Sequence, residues 1–405
     1  MKCKFVFLFL MVTGILFVSG CWNQKELNDL AIISAMAIDK NDDGQYVKTI
    51  QLINPGSVAG GLQGGGGGQS PAVTVYTATG DSVMQAHFNA SSKISRRLYH
   101  GHANLIVVSE ELAKEDGITT ILDAFERDPE IRTTSRIVVA HDTKAGDLLK
   151  SLTAVEKIPA EKVNGILKVT AQSRGENVEV TLQEVIKSLT AEGMEPVISG
   201  FRMKGDIEKG KKMDNIQQSE LDTTLEADGL AIFKEGKLID WYKGEMSRGV
   251  IWILDKIEET EVEIDWDGKK NIIGYTVIRQ KTKISADTKN VLPVITIHTN
   301  AEGDIREVRT PVDLTDPAII LDLEKELEKE IKREIEETIK KTQQNKTDIF
   351  GFGEVVHRSD PEKWKELKGD WDDSYFPNLN VKVEVEVFIR RSGLRTNSYL
   401  SDMKE

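Results

Sequence analysis

The chain has 405 residues, 39% of them hydrophobic and 29% charged, the composition of folded domains rather than of collagen, disordered tails or polytopic membrane proteins. At roughly 150 residues per domain it is long enough for two or three domains with cores of their own. A net charge of −13 is the wrong sign for holding a phosphate backbone, so no nucleic acid is expected as a partner, and the 2 Cys are too few for a disulfide framework or a cysteine-based zinc site.

Lys2 and Lys4 precede an apolar run from Phe5 to Val18 that is too short to span a bilayer but has the length of a signal-peptide core. It ends in Val18-Ser19-Gly20-Cys21, which resembles the bacterial lipobox, where a diacylglycerol is joined to the cysteine through a thioether and the chain is cut before it. Residues 1–20 are therefore expected to be a signal peptide and Cys21 the lipid-attachment residue; the alternative is ordinary cleavage near Gly20 with Cys21 free. Loss of Lys2 and Lys4 takes the net charge from −13 to −15, so lipid rather than charge would hold the mature body at a membrane.

The apolar run Leu30 to Ile38, the polar Asp39 to Gly44 and the alternating Tyr46 to Ile53 predict a β-hairpin. Gly60 to Gly68 loses too much backbone entropy on ordering to be anything but a loop. Val73 to Ala78 reads as a strand, Ser82 to Ser92 as a helix, Asn104 to Ser109 as a buried strand, Ile118 to Glu126 as a helix stopped by Asp128-Pro129, and Ile137 to Ala140 as a strand. These form an N-terminal α/β domain, residues 21–145. Helices at Ala145 to Leu152 and Thr181 to Thr190 and a strand at Val197 to Met203 would make a small middle domain, 146–205, and the charged stretch Lys204 to Glu220 reads as a linker. The C-terminal α+β domain, 206–405, is expected to hold a hairpin (Leu230 to Phe233, Leu238 to Trp241), a helix (Ser247 to Ile257), a meander of strands (Val262 to Ile264, Ile272 to Ile284, Val291 to Thr299) and an amphipathic strand (Leu379 to Ile389).

Within that domain Pro317 to about Lys341 is the strongest helix. Asp316 or Thr315 can cap it, Pro317 suits its first turn, and pairs such as Glu328 with Lys332 support it. Ile319, Leu323, Leu327, Ile331, Ile335 and Ile339 recur every fourth residue, so the stripe precesses by about 40° per step, which suits a helix lying across a twisted sheet better than a coiled coil. The fold class is thus α+β and multidomain, with mixed and antiparallel sheets packed with helices and a C-terminal meander beside one long helix.

Motifs for chemistry are sparse. Asp39, Asn41, Asp43 and Gly44 open like an EF-hand loop, but its twelfth position is Ile50 instead of a bidentate Glu, so a polar turn is expected. The glycine run lacks the Lys and Ser/Thr of a phosphate loop. His100-Gly101-His102 would put two imidazoles on one side of an extended segment, but no third ligand is evident, and His87, His141, His298 and His357 are scattered. No Gly-x-Ser-x-Gly occurs. The expectation is a protein that is not an enzyme, with no cofactor and no metal.

The order of several motifs along the chain nevertheless resembles one family. Cys21-Trp22, Leu30 to Asp39, Arg97-Leu98-Tyr99-His100-Gly101-His102, Arg127-Asp128-Pro129-Glu130-Ile131-Arg132, Gly229 to Lys234, Arg248-Gly249, Asp348-Ile349-Phe350-Gly351-Phe352-Gly353, Trp364, Phe376-Pro377 and Arg390 to Leu394 are similar to the Ger(x)C family, the C subunits of the nutrient germinant receptors of spore-forming bacteria. The resemblance implies a non-catalytic lipoprotein on the outer face of the spore inner membrane, complexed with receptor A and B subunits, with the acylated cysteine carried onto Cys21. The rival is a lipid-anchored solute receptor that binds a nutrient directly; such proteins show two similar lobes, whereas the second half here does not repeat the first.

Overall fold

The computed structural model describes residues 5, 26–59, 71–153 and 155–392. Thirteen strands are found among them: β1 (Leu30–Lys40), β2 (Tyr46–Ile53), β3 (Val73–Gly80), β4 (Arg97–Tyr99), β5 (Leu105–Ser109), β6 (Arg136–Ala140), β7 (Val197–Gly205), β8 (Thr223–Lys234), β9 (Lys237–Tyr242), β10 (Thr260–Trp266), β11 (Lys269–Asp287), β12 (Val294–Val308) and β13 (Asn380–Arg391). They make two sheets. The larger has the order β3-β2-β1-β5-β6-β7-β8-β9, with β4 also beside β1, and the smaller β10-β11-β12-β13. The principal helices are α1 (Val83–Ser91), α2 (Glu110–Glu115), α3 (Thr119–Glu126), α4 (Ala145–Lys150), α5 (Pro159–Ser173), α6 (Leu182–Thr190), α7 (Glu245–Ile253), α8 (Pro317–Gln344), α9 (Phe352–Ser359) and α10 (Pro361–Leu367).

The large sheet is mixed. β1, β5, β6 and β7 run parallel in its middle, flanked by antiparallel β2-β3 and β8-β9. Central strands buried on both faces carry continuous apolar runs, and alternate residues divide between two cores. Ala35, Ala37, Leu105, Val107, Val138 and Ala140 pack with Leu148 and Leu149 of α4 and Val163 and Leu167 of α5. Met36, Ile38, Ile106, Val108, Ile137 and Val139 join the core shared with α2, α3, α6 and the rest of the chain. Small alanines on one face let α4 lie close.

The stretch expected to be a linker connects two neighbouring strands. β7 and β8 pair antiparallel from Val197↔Ile232 to Gly205↔Thr223, so the large sheet continues through residue 205. Between them Asp206 caps a short turn by accepting from the N–H groups of Glu208 and Lys209, and Asn215 is buried against Thr223. Helix α5 has no counterpart in the sequence reading.

In the smaller sheet β10, β11 and β12 form the expected antiparallel meander, but β13 returns parallel to β12. The reason is the crossover: α8 intervenes, and a helix carries the chain back to the end from which it started. Asp316 caps α8, accepting from Ala318 N–H at 2.8 Å, and Leu323, Leu327, Ile331, Ile335 and Ile339 are buried, as the fourfold spacing requires. Glu328 does not pair with Lys332. Glu328 and Glu324 accept from the N–H groups of Val387 and Ile389 on the outer edge of β13, satisfying donors that would otherwise invite another strand, and Lys332 lies 3.8 Å from Glu336.

Candidate functional site

Cys21 and the glycine run lie outside the described residues. The EF-hand-like segment is a hairpin turn whose side chains diverge. Asp39, buried on β1, accepts from the N–H groups of Ala145 and Gly146 at 2.7 and 2.8 Å and so caps α4 from a neighbouring strand, while Asn41 accepts from Gln45 N–H within the turn.

His100-Gly101-His102 is not extended. It is a one-turn 3₁₀ segment that interrupts the strand beside β1, where Leu30 pairs with Arg97 but Ala35 pairs with Leu105. The three additional residues bulge, sending His100 inward, 4% exposed, and leaving His102 in solvent. The imidazoles therefore part.

Two of the family-like motifs meet at His100. Its Nδ1 is 3.3 Å from Asp128 Oδ2, and Arg97 is 3.2 Å from Glu130. The His87 ring lies 4.9 Å from that of His100, and Lys48, 4% exposed, sits 5.5 Å from the centre of the Phe125 ring. His87 Nδ1 and His100 Nε2 are buried without a hydrogen-bond partner. Burial, reinforced by the Lys48 charge, pushes both imidazoles down to about 4, and burial lowers Lys48 to about 8. At neutral pH both histidines are uncharged.

Three of the other motifs, Arg248-Gly249, Asp348 to Gly353 and Trp364, lie at the joint between the two sheets. Arg248 on α7 makes a bidentate pair with the buried Glu334 of α8, which also accepts from Trp252 Nε1. The helices approach this closely because position 249 is glycine: a Cβ there would meet Thr338 Oγ1 at 2.0 Å. The far end of α8 is tied to the large sheet through Tyr242 and Thr342, whose hydroxyls lie 3.2 Å apart, and through Lys341 and Asp240 at 2.8 Å. Beyond it, fully buried Asp348 accepts from the N–H groups of Phe350, Phe352 and Gly353 and from Trp371 Nε1. Burial still raises its carboxyl to about 7. Trp364 closes the joint, its ring edge against Gly193 from one half and Gly353 from the other; a Cβ on either would come within 2.6 Å of the ring. Next to it Glu195 accepts from Glu235 N–H, and burial, with the Asp372 charge adding to it, pushes its carboxyl up to about 7. Beside this joint a cavity of about 280 Å³ is lined by Val178, Val185, Met194, Val197, Leu254 and Ile349.

A third cluster, which the sequence reading passed over by counting His141 among scattered histidines, lies at the carboxyl end of the parallel strands. His141 follows β6, stacks on Trp241 with centroids 4.0 Å apart, and places Nδ1 2.6 Å from Asp228 Oδ2. Glu110, the residue after β5, accepts from Trp241 Nε1 and from Asp142 N–H. Burial pushes the Asp228 carboxyl upward, but the Lys243 ammonium, His141 and Arg202 outweigh it and hold the group below the usual carboxylate range. The signal in sequence was an apolar strand ending in His-Asp, legible as a site once the strand order is known.

Three groups among the described residues could offer a cation three ligands: Glu110, His141 and Asp142; Glu245, Glu330 and Glu334; Glu261, Glu263 and Glu307. The second is engaged by Arg248 and Arg333 and the third by Arg309.

Sequence comparison decides the family. A spore germination protein N-terminal domain matches residues 23–203, and a spore germination B3/GerAC-like C-terminal domain matches residues 228–393. The chain belongs to the spore germination B3/GerAC-like family. It is 44% identical to spore germination protein KC of Bacillus subtilis (strain 168) over 397 residues, 98% of both chains, and 28% identical to the putative spore germination protein YfkR of the same organism, over 93% of this chain and 94% of that one. The crystal structure of the GerBC protein has the same α+β fold, with a TM-score of 0.56 at 21% identity, covering 88% of this chain and 97% of that one. In this chain the joint includes three of the motifs that carried the resemblance: Arg248-Gly249, Asp348 to Gly353 and Trp364 hold one half of the chain against the other.

Proposed function

We propose that this protein is the lipid-anchored, non-catalytic C subunit of a spore nutrient germinant receptor, acting in assembly or signalling with the receptor A and B subunits on the outer face of the spore inner membrane. One observation carries the reading: three of the motifs that carry the family resemblance, Arg248-Gly249, Asp348 to Gly353 and Trp364, fix the two sheets relative to each other, the construction expected of a subunit that works by presenting a rigid surface. In this reading the anchor is the diacylglycerol on Cys21; among the described residues no helix is long and apolar enough to cross a membrane. We read the chain as a signal peptide, an N-terminal domain, a middle domain and a C-terminal domain with boundaries near 20, 145 and 205, which limited proteolysis tests.

Two experiments test the function. Cys21→Ala should abolish fatty-acid labelling of the protein and release it from spore membranes; label persisting in that variant places the anchor elsewhere. Affinity purification of the wild type from detergent-solubilised spore membranes should recover the A and B subunits, and their absence would sink the assembly reading. The cavity beside Met194 and Glu195 is the observation in favour of the rival solute receptor. Calorimetry of the full-length protein against a nutrient panel separates the two: a solute receptor gives saturable binding at roughly micromolar Kd, about −8 kcal/mol, and a scaffold gives none.

A further inference from the structure

We propose that Glu110, His141 and Asp142 form a binding site for a divalent transition-metal ion, with Asp228 as the residue that positions the imidazole. The placement follows from the sheet. β5 and β6 are parallel neighbours, paired at Val108↔Val139 and Ser109↔Ala140, so the residues that follow, Glu110 on one and His141-Asp142 on the other, leave the same edge side by side. That edge, beyond the carboxyl ends of parallel strands, is where open α/β sheets gather ligands.

The orientation of His141 is the deciding feature. The residue is 6% exposed, and its ring is fixed from two directions, by stacking on Trp241 and by the 2.6 Å contact of Nδ1 with Asp228. Asp228 in turn lies 3.0 Å from Lys243 and 3.6 Å from Arg202, so it is an ionised acceptor for the Nδ1 proton. In the neutral tautomer with the proton on Nδ1, Nε2 offers a lone pair. That atom is directed toward Asp142 Oδ2 at 3.6 Å, beyond hydrogen-bond reach. A carboxylate that orients one ring nitrogen while the other faces further carboxylates is the arrangement that supports metal-bound histidine.

The donor atoms of Glu110, His141 and Asp142 lie within 4.8 Å of one another. One imidazole and two carboxylates suit zinc or manganese rather than calcium or magnesium, and binding at about 2.0–2.2 Å asks the three groups to close by roughly an ångström or two. Glu110 is already aimed: Asp142 N–H donates to Oε2, which keeps a lone pair, while Oε1 accepts from both Trp241 Nε1 and Lys114 Nζ. The ammonium of Lys114, half exposed beside Glu110 Oε1, is the group an ion would displace. Asp142, with its side chain 75% exposed, leaves an entry path from solvent.

The test uses the full-length chain in detergent, titrated with Zn²⁺ and with Co²⁺ as a spectroscopic probe. The expected result is one ion per chain, with visible Co²⁺ absorption and a Zn²⁺-dependent rise in melting temperature. Asp142→Asn preserves the fold, because Asn tolerates the left-handed backbone at this position (φ +51°), and it should weaken Zn²⁺ at least about tenfold. Asp228→Asn should weaken it by roughly 10–100-fold, the usual cost of losing a positioning carboxylate. No binding at Zn²⁺ concentrations up to about a hundredfold above a micromolar Kd overturns the proposal, and so does binding of equal strength in Asp142→Asn, which would locate the ion at another place on the chain.

Discussion

Around His100 the buried imidazoles are bases without their protons, whereas Asp348 and Glu195 are acids whose carboxyls are pushed up to about 7. Desolvation is the leading cause in both places, yet Asp348 and the two histidines differ in how their polar atoms are satisfied. Asp348 has four donors converging on it. His87 Nδ1 and His100 Nε2 have no partner. Burial by itself therefore says little about what a group contributes; the number of hydrogen bonds lost on its removal says more.

Asp348→Ala should have the largest effect. It strands the N–H groups of Phe350, Phe352 and Gly353 and the Trp371 indole in the interior, at a cost of about 3–5 kcal/mol. His100→Gln, by contrast, removes a side chain that already lacks one partner and should cost under about 1 kcal/mol. Urea denaturation of the two variants measures the contrast directly. Equal losses would mean that water occupies the Asp348 cage as readily as the carboxylate does, and the distinction between the clusters would fall.

Gly249→Ala tests the joint through sterics alone. The added methyl would sit 2.0 Å from Thr338 Oγ1 and 2.8 Å from the Glu334 carbonyl, so α7 must move off α8 and strain the Arg248 to Glu334 pair. A loss of about 1–3 kcal/mol is expected, read as a lower urea midpoint at unchanged m-value. An unchanged midpoint would show that the two helices are not held in register.

These residues also mark how far the sequence could be read. The hairpin of β1 and β2, the meander of β10 to β12 and the buried stripe of α8 follow from period-two and fourfold patterns within a single segment, and each was visible as such. Helix α5 was not, because Gly165 and the β-branched Val163, Val169 and Thr170 weaken the helical signal and its stability comes from packing against α4 and β8, in the core that also holds Ala35 and Val107. The parallel return of β13 depends on a crossover, and the Asp348 cage on Trp371, more than twenty residues away. His141 acquires meaning only when strand order brings Asp228 and Trp241 to it. Local periodicity is legible in one dimension; convergence of distant carboxylates and aromatic rings is not.

The smallest effect is the one that most sharply separates the clusters, because their pH dependences have opposite sign. His100 changes from 6.5 when unfolded to about 4 when folded, so between those values the unfolded chain takes up a proton that the native one refuses, and stability falls as pH drops. The charges facing it are Lys48, His87, Asp128 and Glu130. Glu195 changes from 4.5 to about 7, so the native state holds a proton that the unfolded chain releases, and stability falls as pH rises through that window; Asp372, Glu235 and Lys234 face it. Melting temperatures of His100→Gln and Glu195→Gln, each taken relative to wild type, should therefore move in opposite directions between about pH 4.5 and 6.5, the first difference becoming more negative and the second more positive. Partial exposure of Glu195 screens its share of the effect, and an excursion of about 2 °C is expected. Parallel curves would mean that at least one of the two groups titrates at its ordinary value, and that the clusters differ in hydrogen bonding but not in charge.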